Sequence, residues 1–99
     1  MVELSDGTRE RLLALFSVCD APDAQRLLEH ECADNLPLLF PPVTPQSLER
    51  IRFAALKLSE GDLGKLHYAV DVANRDWRDV LVAASFGNDV RAHEAWHPE

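Results

Sequence analysis

Cysteine is scarce in this chain, glycine occurs only four times, and basic residues are outnumbered. Two cysteines in 99 residues exclude a disulfide-dense scaffold. Gly61 and Gly64 stand apart as turn or helix glycines, so no phosphate-cradling loop is present. No apolar run approaches the roughly 18 residues that a membrane span needs. The start, MVELSDGTRERLLALF, lacks a basic leader followed by an apolar stretch, so no signal peptide is expected. Ten Lys and Arg against 17 Asp and Glu give a net charge of -7. That charge repels polyphosphate and anionic membrane surfaces, so neither nucleic acid nor membrane is expected as a partner. The expectation is a cytoplasmic protein with reduced thiols.

What is present is helical punctuation. Hydrophobic residues make up 46 % of the chain, ample for a single helical domain over 1–99. Leu12, Leu13, Leu15, Phe16 and Cys19 recur at helical spacing, which predicts a helix over 6–18 after the Ser5-Asp6 cap. Pro22 suits the first turn of a second helix that runs to about Ala33, turns Ala24, Leu27, Leu28 and Cys32 inward and has Asn35 as its left-handed terminator. In the Pro-rich stretch 36–45, the three prolines Pro37, Pro41 and Pro42 exclude a helix. Its Leu36, Leu38, Leu39 and Phe40 predict an extended segment across the core. Thr44-Pro45 opens a third helix, and Gly61 with Asp62 ends it and caps a fourth. Asn74-Arg75-Asp76 is another stop and cap, and the fifth helix, 77–86, is apolar or small nearly all round, so it is expected to be the buried central element. Gly87 ends it, and Asn88 or Asp89 caps a short last helix to about Trp96. Five to six short helices in an irregular, orthogonal all-α bundle follow, with no alternating strand pattern.

The stretch Leu56-Lys57-Leu58-Ser59-Glu60-Gly61-Asp62-Leu63, then Asp76-Trp77-Arg78-Asp79-Val80-Leu81-Val82-Ala83-Ala84, then Ala92-His93-Glu94-Ala95-Trp96, resembles a group of small bacterial proteins. They share an L-K-L-S-x-G-x-L turn, a D-W-R-D-x-L-x-A-A helix and a terminal A-H-x-x-W. The resemblance covers about half the chain. It implies a helical fold and a bacterial cytosolic setting, and no chemistry.

His93-Glu94-Ala95-Trp96-His97 is a literal H-E-x-x-H. On an α-helix the two imidazoles would share a face and could grip zinc, with Glu94 as general base on the bound water. Three features oppose this: only Pro98 and Glu99 follow where a third ligand would be sought, Pro98 biases His97 away from helical geometry, and chain ends fray. The competing expectation is a capped terminal helix with Trp96 packed inward and Glu94 solvated. Cys19 and Cys32 end successive helices, and an antiparallel pairing would separate them by roughly 15 Å, too far for a disulfide. They are expected as small buried apolar side chains, although His30-Glu31-Cys32 has ligand-type residues. Asp76-Trp77-Arg78-Asp79 reads either as a recognition surface or as cap, core plug and clamped arginine. His67 and Tyr68 have no serine on a glycine elbow beside them, and Ser17 and Ser85 are expected inside helices. A helix-turn-helix around Asn74-Arg75-Asp76 would present Val80 to Ala84 to the groove, which does not suit DNA.

The leading functional expectation is protein–protein contact, with Phe53, Leu56, Trp77 and Arg78 as partner-binding residues and a homodimer covering the surplus apolar surface. No catalytic residue and no cofactor is assigned. A second expectation, of another class, is a zinc-dependent hydrolase using His93, Glu94 and His97. A third is an acidic inhibitor mimicking nucleic acid, which needs its carboxylates gathered on one face.

Overall fold

A computed structural model describes residues 2–33, 36, 44–87 and 92–98. Four helices, α1 (Asp6–Leu15), α2 (Ala21–Glu31), α3 (Pro45–Ser59) and α4 (Leu63–Ala83), are followed by a 3-10 turn, Ala92–Ala95. The described residues hold no strand, so the all-α expectation is met. Three of the four starts carry a side-chain cap. Ser5 is extended, and its Oγ accepts from the Thr8 amide at 3.2 Å. Thr44 does the same for Ser47, with Pro45 as the first helical residue. Asp62 Oδ1 accepts from the Lys65 amide at 3.1 Å.

Among the described residues the helices number four, with one 3-10 turn, rather than five to six. The predicted fourth and fifth helices are one element, bent at Asp76, whose extended backbone (φ -159°, ψ 106°) interrupts α4. The stop at 74–76 is therefore real, but it adds no loop. The second segment is also shorter than 77–86. It closes with Ser85 in the left-handed region (φ 65°) and the Phe86 amide donating to Leu81 O at 2.8 Å, so Gly87 is not the terminator. The first helix ends at Leu15, not at 18, because Phe16 turns extended and enters the core. Ser17 thus lies in a turn rather than a helix, and Cys19 is exposed, which corrects its expected burial. The expectations for Asn35, for most of the proline-rich segment (37–43) and for the Asn88-Asp89 cap lie outside the described residues; Leu36 itself is buried.

The buried central element is α3, not the second segment of α4. All six residues 51–56 are buried, because α3 meets α4 on one side and α1 and the 3-10 turn elsewhere. Ala54 and Ala55 leave no side-chain bulk beyond Cβ at this crossing, which lets neighbours approach. Along 77–83 only Val80 and Leu81 are buried, while Val82 is 70 % exposed. α2 packs on α1 and α4. Arg52 locks this arrangement from within: it is buried and donates to the carbonyls of Val2, Glu3, Leu28 and Cys32 at 2.7–3.2 Å.

Candidate binding groove

The H-E-x-x-H residues are not gathered on one face. His93 begins the second position of a 3-10 turn, where three residues complete a turn and positions four apart diverge. It is fully buried, edge-on to Phe53 (centroids 5.3 Å apart) and near Phe86 (6.4 Å). His97 lies beyond the turn, exposed, with Nε2 3.4 Å from the Arg11 guanidinium. Among the described residues no three His, Cys, Asp or Glu side chains are placed to hold a metal. The motif therefore does not fit a zinc ion in this geometry. Trp96 does pack against the core, and Glu94 is exposed.

One polar cluster in this region was not foreseen. Glu49 on α3 accepts from the Ser5 hydroxyl at 2.6 Å through Oε2, and Ser5 also meets Thr8 Oγ1 at 2.8 Å. The other Glu49 oxygen lies 3.5 Å from His93 Nε2, an electrostatic contact rather than a formed hydrogen bond. Serine, histidine and a carboxylate thus meet, but in the wrong order for acyl transfer. The carboxylate stands between the other two, so the imidazole cannot take the serine proton. Burial pushes the His93 pKa down, against the pull of Glu49 and Glu94, which leaves a neutral ring in the core.

The four residues expected to bind a partner separate into two groups. Phe53 and Leu56 are 1 % and 0 % exposed, so they are core residues, and their expected place on a contact surface is corrected. Both sides of α3 are covered, which a helix periodicity cannot reveal. Trp77 is half-buried against the core, and its indole N–H has no acceptor among the described residues. Arg78 is exposed but engaged: Nε and Nη2 each donate to Asp76 at 2.9 Å, while Asp76 Oδ1 also accepts the Arg78 amide. The guanidinium holds the Asp76 carboxyl below its ordinary pKa. This cap-and-clamp stabilises the bend in α4.

The bend borders an apolar groove. The two segments of α4 turn Ala69 and Val72, then Val80 and Ala83, towards Leu58 of α3, and the groove between them measures about 730 Å³. Its floor is apolar, and its rim carries Asp62, Lys65, Tyr68 and Asp79. Tyr68 is 67 % exposed. Lys65 is already paired with Glu60 at 3.1 Å, so the rim is acidic in effect. The sequence reading missed this groove because it assigned these apolar positions to a closed core. The signal was present in the 74–76 stop, combined with alanines at 69 and 83 that leave space beside a bend.

No family, no curated protein and no solved structure matches the chain.

Proposed function

We propose that this chain is a protein-interaction domain that receives a basic amphipathic helix in the groove formed by the α4 bend. The observation that carries this reading is an apolar floor bounded by acidic side chains, Asp62 and Asp79, on a molecule of net charge -7. Helix-in-groove recognition uses apolar anchors at i, i+3, i+4 and i+7, and lysines beside them would meet the rim carboxylates. A second copy of the chain is a poorer occupant, since it brings the same negative charge, and Phe53 and Leu56, the residues that argued for a dimer, are buried. A nucleic-acid mimic is also less well supported, because Arg9, Arg26 and Arg78 pair with Asp6, Asp23 and Asp76 and interrupt the acidic surface. No described helix is long and apolar enough to cross a membrane. The resemblance to small bacterial proteins makes the bacterial cytosol the setting proposed for this partner.

The test is fluorescence polarisation with a labelled helical peptide bearing a leucine stripe flanked by lysines. A micromolar Kd is expected. Ala83→Arg, which fills the groove from an exposed position, and Asp79→Lys should each weaken binding at least tenfold. Equal binding of a scrambled peptide overturns the reading, as does a homodimer in light scattering that Ala83→Arg dissociates.

A further inference from the structure

The strongest feature outside the groove is the segment 92–98, which lies across α1 and α3 and is held at two points. Outside, Arg11 of α1 donates through Nε to Trp96 O at 2.8 Å and through Nη2 to Glu94 O at 3.5 Å, while its Nη1 donates to Gly7 O at 3.0 Å. The same guanidinium sits 4.2 Å over the Phe53 ring. Inside, His93 fills the space between Phe53 and Phe86, and Trp96 packs near both rings. The plug of this strap is thus a titratable side chain with 0 % exposure and, among the described residues, no hydrogen-bond partner on either ring nitrogen. A phenylalanine or leucine would satisfy that apolar space without any desolvation cost.

We propose that residues 92–98 form a proton-released strap, with His93 as the group whose protonation expels it from the core. The charged neighbours come from every element around the ring. From α3, Glu49 stands 3.5 Å from Nε2, but its other oxygen is already engaged by the Ser5 hydroxyl. Arg50, also on α3, opposes an imidazolium and is itself tied to Phe86 O at 2.6 Å. α1 contributes Arg11, 4.2 Å over the Phe53 ring, and α3 also brings Lys57, whose ammonium lies 4.9 Å over the Phe86 ring. The strap supplies Glu94, and just past α4 Phe86 contributes an uncharged ring. One carboxylate oxygen can therefore approach Nε2, while a protonated Nδ1 finds no acceptor among the described residues. Water is the remaining partner for Nδ1, and reaching water requires the strap to lift. Release exposes the faces of Phe53 and Phe86 that His93 and Trp96 now cover.

The direction follows from linkage. Burial holds the His93 pKa below its ordinary value, so the packed strap prefers the neutral ring, while a released histidine titrates near 6.5. Packing is therefore fully present above about pH 6.5 and weakens as pH falls below it, by up to about tenfold per pH unit for one proton. The decline stops once the packed ring itself protonates.

Amide hydrogen exchange, corrected for the intrinsic pH dependence of the chemistry, reads this directly between pH 7.5 and 5. Protection of 92–97 is expected to fall about tenfold per unit below pH 6.5, while amides of 51–56 keep theirs. His93→Phe should hold the strap independently of pH, and His97→Gln should behave as the unaltered chain does. Should His93→Phe fail to fold, the unaltered chain decides alone, through a one-proton slope confined to the strap. A flat strap profile overturns the proposal, because Glu49 then accommodates the proton in place. Loss of protection in 51–56 at the same pH overturns it too, as does an unchanged slope in His93→Phe.

Discussion

Arg52 concentrates more of the structure in one side chain than any apolar residue does. Its planar guanidinium donates to four carbonyls: two at the chain start, Leu28 O in the last turn of α2, and Cys32 O just beyond it. Replacement by methionine keeps the stem but strands these acceptors, so Arg52→Met should cost about 3 kcal/mol. Arg52→Lys should recover only part of that loss, since an ammonium cannot span the same fork. Urea midpoints at pH 7.5 measure both. Nothing local in Glu49-Arg50-Ile51-Arg52 distinguishes this arginine from a solvated one, which is why the sequence did not reveal it. Cys32 shows the opposite case. Its inward position was legible from helical spacing, and burial now lifts its thiol to about 12, despite the neighbouring Arg52. Cys19 has the same residue type but sits in a turn, and the turn depends on where α1 stops.

Helix ends follow from chemistry within a few residues. Ser5, Thr44 and Asp62 cap as their sequence contexts indicate, and Gly61 takes φ +81° where a Cβ would lie 2.7 Å from Leu15 O. Two termini instead place other residues in the left-handed region that glycine usually fills, Glu60 (φ 53°) after α3 and Ser85 (φ 65°) after α4. Ser85→Gly removes a Cβ from left-handed backbone and should stabilise the fold by about 1 kcal/mol, read as a raised thermal midpoint. The stop at Asp76 was also legible; its lack of a loop was not, since a bend and a turn use the same capping residues. Burial was the least legible property. Val82 and Phe53 belong to similarly apolar helical stretches, yet one faces water and the other the core. Neighbouring elements, not periodicity, decide which side of each helix is covered. For H-E-x-x-H the deciding fact was again geometric: a 3-10 turn does not repeat at four.

At the scale of the molecule, charge and dimensions set how a partner arrives. The described chain measures 34 × 26 × 23 Å, comparable with the Debye length of about 30 Å at 0.01 M salt. The field of a -7 protein thus extends past its own width in dilute buffer, and shrinks to about 8 Å at 0.15 M. Association of the lysine-flanked helical peptide should slow at least tenfold over that range in stopped-flow measurements, while its dissociation rate changes little. Comparable slowing of both rates would mean that apolar contact does not hold the complex together. The seat of Arg52 also orders events in time. The Val2 amide donates to Glu29 O at 3.2 Å, but the carbonyls of residues 2 and 3 are bound by a side chain some fifty positions later. During synthesis, the carbonyls of residues 2 and 3 therefore gain their guanidinium partner only once the residues around position 52 have also left the ribosome.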